Sequence, residues 1–196
     1  MNIFYRLGNK LYINLTNSCS NRCVFCIREK VKGVGSADTL WLPRVPEIVE
    51  IKRAFDEIAL DNITEIVFCG FGDPLDAADT VAEICYYMKE RTPLPVRINT
   101  AGVVRLVCPG FDISRLACAD SISVSLNAAS AAEYARLTRS RFGEDAYGAM
   151  LDFARDAKEF AAATFSVLDV IGADEIAKCQ RIADEMGIPL RVRPME

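Results

Sequence analysis

Apolar positions along this chain switch repeatedly between a two-residue rhythm and a three-to-four-residue rhythm, and each switch marks a predicted element. Residues 10–14 (KLYIN) are a short β-prone stretch, and the polar, cysteine-bearing segment after them reads as a loop leaving the C-terminal end of a strand. The run VKGVGSADT further on is glycine-containing and irregular. Pro46 then stands at a good first helical position, Glu47 and Glu50 fall in the first turn, and Ile48, Ile51, Phe55 and Ile58 repeat at helical spacing. Residues 64–69 (TEIVFC) predict a strand ending in the turn GFGDP, after which Val81, Ile84, Cys85 and Met88 mark the core face of a helix. PVRINT and SISVSLNA predict two more strands, residues 145–162 a helix with Met150, Phe153, Ala157 and Phe160 inward, and TFSVLDV another strand. Ile176, Cys179, Ala183 and Met186 share the inner face of a final helix, closed by Gly187 and Pro189 before the strand LRVR.

About six such strands, β-rich and separated by helices, require a parallel sheet with right-handed crossovers, an α/β fold. Six units are too few for the ~250 residues of a closed eight-stranded barrel. The expectation is a partial (β/α)6 TIM-type barrel forming one domain over residues 1–196, with a doubly wound flat sheet as the alternative. Either architecture places the active site at the C-terminal ends of the strands. The cysteine loop (residues 17–45), GFGDP, the end of INT and SLNA should therefore converge.

Composition narrows the function. A balance of 23 basic against 27 acidic residues argues against the broad electropositive surface of a nucleic-acid binder. No window approaches the ~18 uninterrupted apolar residues of a membrane span, and MNIFYRLGNK lacks the apolar region of a signal peptide, so a cytoplasmic protein with no membrane association is expected. Histidine is absent, which excludes imidazole catalysis, His-ligated zinc and His-dependent triads. Of the 8 cysteines, three fall within CSNRCVFC and five are scattered singly through apolar segments, a pattern that suits a reducing compartment and a metal site.

The spacing Cys19-x3-Cys23-x2-Cys26 lets three thiolates from one short loop converge on a 4Fe-4S cubane while one iron keeps no protein ligand. Zinc, the natural competitor, wants four ligands, and neither a second cysteine pair nor a histidine exists to supply them. Against an accidental cluster of small core residues stand the polar, loop-forming neighbours Ser18, Ser20, Asn21 and Arg22. Cys69, Cys85, Cys108, Cys118 and Cys179 lack ligand spacing with one another and read as core residues, so no second cluster is expected.

The CxxxCxxC loop after the first strand, with aromatic Phe25 before Cys26, resembles the signature of the radical S-adenosylmethionine (SAM) superfamily. That family carries a GGE-like motif after its second strand, which meets the SAM amino group, and Gly70-Phe71-Gly72-Asp73-Pro74 stands in that place with Asp73 replacing the usual Glu. INLTNSCSNRCVFCIRE, GFGDPL, SVSLNA and GIPLRVR together look like one compact core of this kind, most similar to the group associated with TatD-family nucleases. The resemblance implies cluster ligation by Cys19, Cys23 and Cys26, with Gly70, Phe71, Gly72 and Asp73 holding the methionine end of SAM. It also implies that Asn99 and Thr100 reach the ribose or carboxylate and that Gly172 meets the adenine, unless that glycine is a simple turn residue. Strand alternation points Ser125 and Asn127 into the barrel mouth. Arg139 is a candidate for the SAM carboxylate, with a solvated surface arginine as the alternative.

The implied activity is reductive cleavage of SAM to a 5'-deoxyadenosyl radical that abstracts hydrogen from an unidentified substrate: a small molecule, a nucleotide or a protein. An external one-electron donor such as a flavodoxin or ferredoxin is then required, and a TatD-family nuclease is a possible associate. A glycyl-radical-enzyme activase and a non-catalytic iron-sulfur electron-transfer protein are the competing readings. Arg28, Lys30 and Lys32 either draw in an anionic substrate or are simply solvated. Trp41 is expected packed against the barrel, and residues 32–39 form a candidate lid.

Overall fold

The protein is described by a computed structural model covering residues 1–195. Seven strands hydrogen-bond in strict sequence order: β1 (Phe4–Leu7), β2 (Lys10–Ile13), β3 (Glu65–Phe68), β4 (Val96–Thr100), β5 (Ser121–Ser125), β6 (Ala162–Leu168) and β7 (Leu190–Arg193). β1 runs antiparallel to β2, and every later pair is parallel. Right-handed crossovers in an unreversed order stack all the connecting helices on one face of the sheet. A doubly wound sheet would need the order to reverse, so the fold is the partial TIM-type barrel. The opposite, concave face stays open between the edge strands β1 and β7.

The helices are α1 (Ile48–Asp56), α2 (Ala78–Lys89), the single turn α3 (Val104–Val107), α4 (Ala131–Thr138), α5 (Asp145–Ala157) and α6 (Ala173–Met186). Strand alternation sorts the two faces. Ile66 and Phe68, Val96 and Ile98, Ile122 and Val124, and Phe165 and Val167 face the helices and are fully buried with Val81, Met88, Met150 and Phe153. Each such side chain contributes about 1.5–3 kcal/mol by leaving water. The intervening positions Glu65, Arg97, Asn99, Ser121, Ser123 and Ser125 are polar and half-buried on the concave face. There Glu65 accepts from Lys10 at 2.6 Å and from Arg97 at 3.0 and 3.1 Å. Burial works against the Glu65 carboxylate, but these two cations hold it below its ordinary range.

Element boundaries differ from the apolar pattern where caps decide. Glu47 is the N-cap of α1, closing a reciprocal capping box with Glu50, so Pro46 lies outside the helix and not at its first turn. Ile58 falls beyond the end of α1. α5 stops at Ala157 and not at residue 162, because Ala162 already pairs with Ser121 in the sheet. Phe160 therefore lies in the connection, half-buried. β1 and α4 carry no apolar rhythm long enough to predict; Gly8, at φ +58°, turns β1 into β2, and Ser130 caps α4 by accepting from the Glu133 amide at 3.3 Å. Among the described residues, no helix is long and apolar enough to cross a membrane.

Candidate functional site

The loop leaving β2 is fixed on both sides before it presents its cysteines. On one side it continues the β2–β3 pairing into the GFGDP turn: Cys69 N donates to Ile13 O at 3.0 Å, Gly72 N to Thr16 O at 3.0 Å and Asp73 N to Ser18 O at 2.8 Å. On the other side it docks against the C-terminal end of α4, with Arg22 N donating to Thr138 O at 2.7 Å, Val24 N to Leu137 O at 2.9 Å, and Arg141 N to Ser20 O at 3.0 Å. The close approach explains both glycines of the turn. A Cβ at Gly70 would collide with the Asn14 carboxamide, and one at Gly72 with the carbonyl oxygens of Thr16 and Ser18.

Cys19, Cys23 and Cys26 are half-buried, free thiols on this loop. Burial first, then nearby acidic groups and neighbouring thiols, push Cys19 and Cys23 up to about 12. Arg28 acts in the opposite direction on Cys23. Among the described residues no set of three ligating side chains is close enough to hold a single metal ion. By ligand number and type, three thiols on one short loop fit a 4Fe-4S cubane with one open iron and fall short of the four ligands zinc wants.

Asp73 anchors the turn. Its Oδ1 accepts from the Leu75 amide at 2.9 Å and the Thr100 hydroxyl at 2.8 Å, and Oδ2 accepts from the Ala101 amide at 2.5 Å. Only 7% of the residue is exposed, and burial raises its carboxyl to about 6 although the Ala101 and Thr100 bonds pull downward. The carboxylate thus ties the end of β3 to the end of β4. The carbonyls of Gly70 and Gly72 accept no hydrogen bond among the described residues and are the free acceptors of the turn. Phe71 is buried, and Trp41 meets its ring edge-on at 5.2 Å, so Trp41 packs on the turn while 44% of it stays exposed.

The other predicted positions gather at the same end of the sheet with different engagements. Asn99 lies on the concave face, accepting from Arg97 at 2.7 Å. Thr100 is buried, and its hydroxyl is given to Asp73 instead of being open to a ligand. Ser125 lines the concave face; Asn127, just past the strand, is buried in a left-handed conformation at φ +57°. Arg139 is the exposed left-handed C-cap of α4, next to the carbonyl that holds the cysteine loop. Gly172, at φ +88°, precedes α6 with open space where a Cβ would be.

Three expectations need correction, and two residues were missed. Cys85, Cys118 and Cys179 are core residues, but Cys108 is half-buried at the end of α3, and Cys69 looks onto Asn99, Arg193 and Arg97 from the concave face. Arg28 is not solvated: its side chain is 11% exposed, and its guanidinium reaches the Phe71 carbonyl at 3.4 Å and the Asn21 carbonyl at 3.3 Å. Residues 32–39 are no free lid, being pinned to β1 by Ser36 N to Arg6 O at 2.9 Å and by Arg6 N to Ser36 Oγ at 2.8 Å. The Asn2 amide adds a bond to Asp38 at 2.6 Å. Finally, Asn14 and Asn21 were overlooked. Both are buried with an unpartnered Oδ1 beside the loop, and the signal was their position flanking the cysteines. A separate surface cleft of about 590 Å³, lined by Lys89, Cys118, Asp120 and Lys158, opens at the N-terminal ends of β5 and β6. That is the wrong end of a barrel for its chemistry.

The family model described as the Radical SAM superfamily matches residues 13–175. GTP 3',8-cyclase of Mycobacterium sp. (strain KMS) is 26% identical over 198 residues, covering 96% of this chain and 52% of that protein. GTP 3',8-cyclase 2 of Mycobacterium tuberculosis (strain H37Rv) is 26% identical over 202 residues, covering 96% and 51%. The chain thus spans about half the length of these curated relatives. Among solved structures, native anSMEcpe with bound AdoMet superposes at a TM-score of 0.59 with 14% identity, covering 94% of this chain and 50% of that one. The same protein with AdoMet and the Kp18Cys peptide gives 0.63 with 13% identity over the same shares. With the family model spanning the cysteine loop, the GFGDP turn and strands β3 to β6, the chain belongs to the radical SAM superfamily, whose members use a 4Fe-4S cluster together with S-adenosylmethionine.

Proposed function

We propose that this protein is a radical SAM enzyme acting on an anionic small molecule or nucleotide. The observation that carries the class is the pairing of three free thiols on one loop with a glycine turn hydrogen-bonded to that loop at the C-terminal mouth of the sheet. Cys19, Cys23 and Cys26 would hold the cluster, and the open carbonyls of Gly70 and Gly72 would accept the SAM ammonium, with Asp73 keeping the turn in place. When bound, these cofactors supply one-electron cleavage of the SAM sulfonium and a 5'-deoxyadenosyl radical that takes hydrogen from substrate. Phe71 and Trp41 would shield the turn from water, and Ser125, Asn99 and Gly172 ring the concave face where the nucleoside would lie.

Arg97, Arg191 and Arg193 alternate in register on that face, which supports an anionic substrate, as do relatives named for a GTP reaction. An external one-electron donor of flavodoxin or ferredoxin type, a cytoplasmic setting and association with a TatD-family nuclease complete the proposal. Eight free cysteines suit that compartment. The test is anaerobic reconstitution: four irons per chain, an EPR spectrum of the reduced cluster altered by added SAM, and 5'-deoxyadenosine formed on reduction with dithionite. A cluster whose spectrum ignores SAM and yields no nucleoside would instead identify an electron-transfer protein.

A further inference from the structure

Arg28 is a largely buried cation whose one carboxylate neighbour stands beyond hydrogen-bonding distance. It lies in the 3-10 turn Ile27–Glu29 directly after Cys26, with a side chain only 11% exposed. Its two terminal nitrogens make long bonds to neutral carbonyls, Phe71 at 3.4 Å and Asn21 at 3.3 Å. The nearest carboxylate, Glu29, stands 4.0 Å from Nε and is itself 58% exposed, too far to hydrogen-bond and screened by water. Nε–H is buried and has no acceptor at all. A buried guanidinium left in this state is costly, and such groups are retained where an anion completes them. The guanidinium bridges the Gly70–Asp73 turn and Asn21, which lies between Cys19 and Cys23 in the cysteine loop.

We propose that Arg28 completes its hydrogen bonding on the iron-sulfur cluster itself, donating Nε–H to a cluster sulfur and raising the cluster's reduction potential. The proposal rests on the radical SAM reading above. Three thiolates outweigh the charge of the oxidised core, and reduction adds one further negative charge, supplied by the external donor. A fixed cation beside the cluster therefore stabilises the reduced state more than the oxidised one, and N–H donation to cluster sulfur acts in the same direction. Lys30 and Lys32 of the same segment are both exposed and lack this role.

The test is a potentiometric EPR titration of the reconstituted protein, wild type against Arg28→Gln and Arg28→Lys, with dithionite as reductant and iron counted in every sample. Arg28→Gln, with four irons retained, should shift the reduction equilibrium about tenfold toward the oxidised state, ~59 mV for one electron. Arg28→Lys keeps the charge but loses the Nε donor, and should recover part of that shift. A change in Arg28→Gln smaller than about threefold, ~28 mV, overturns the proposal. So does an unchanged potential with weakened SAM binding, which would make Arg28 a partner of the SAM carboxylate. A measurement that needs no variant is pulsed EPR on reduced wild-type protein labelled with 15N-arginine: a 15N coupling is expected, and its absence refutes the N–H···S contact. Failure of the wild-type chain to build any four-iron cluster would instead sink the radical SAM reading.

Discussion

Removing the Asp73 carboxylate tests whether the GFGDP turn is held by the protein's own bonds. In Asp73→Ala the Leu75 amide, the Thr100 hydroxyl and the Ala101 amide lose their acceptor in a buried site, at about 1–3 kcal/mol each. Against this, the wild-type carboxyl is raised to about 6 from 3.8, so burying its charge costs about 3 kcal/mol at neutral pH, and the variant is relieved of that cost. Taken at about 2 kcal/mol each, the three bonds outweigh that cost, and the net loss should be about 3 kcal/mol at pH 7. The sign of the pH dependence follows from the raised value. Between 3.8 and about 6 the folded protein keeps a proton that the unfolded chain has released, so the stability contributed by Asp73 falls as pH rises through that window and levels off above it. The deficit of the variant should therefore be larger at pH 5 than at pH 7 by about 1 kcal/mol. Urea denaturation of the cluster-free wild type and variant at both pH values measures it. A deficit below about 1 kcal/mol at pH 7, or one that grows with pH, refutes the clamp. Asp73→Asn should not rescue, because its amide group would meet the Ala101 N–H with another donor.

Further substitutions address the cluster and the turn. Cys19→Ala, Cys23→Ala and Cys26→Ala should each abolish four-iron assembly, whereas Cys69→Ala, which faces Asn99 and Arg193, should retain four irons and lose at most about 1–2 kcal/mol of stability; loss of the cluster in Cys69→Ala would end the open-iron argument. Gly72→Ala should force the turn away from the Thr16 and Ser18 carbonyls, costing about 2 kcal/mol or more and lowering SAM affinity, and wild-type behaviour by both calorimetry and SAM titration would contradict the close-packing account.

Much of this fold could be read from apolar spacing because the sheet buries one face against helices. Ile122, Val124 and Phe165 alternate with serine and threonine, and Val81, Ile84, Cys85 and Met88 repeat at helical spacing; both patterns survive as core positions. β1 was illegible because four residues at an edge make no rhythm, and α4 because its eight residues are held by caps more than by an apolar stripe. The cysteine spacing exposed the loop, and strand order located its neighbours. What a linear reading could not supply was direction and satisfaction. Nothing in the one-dimensional pattern tells whether the Thr100 hydroxyl turns to a ligand or to Asp73, whether Arg28 lies in water or under Phe71, or that Asn14 and Asn21 each keep a buried oxygen without a partner. These depend on contacts between residues far apart in the chain.

The docking of the cysteine loop on the C-terminal end of α4 separates the folding of this protein from its loading. Leu137 and Thr138 offer carbonyls that the last turn of any helix leaves without an internal partner, and the loop amides of Val24 and Arg22 take them up. None of these bonds passes through a thiol. In a zinc finger the metal holds the chain together and a chelator unfolds it. Here the bonds that seat the loop are backbone bonds to a helix end, so a chain whose cluster is destroyed by oxygen should stay folded and accept a new one, and damage to the cofactor need not become damage to the polypeptide.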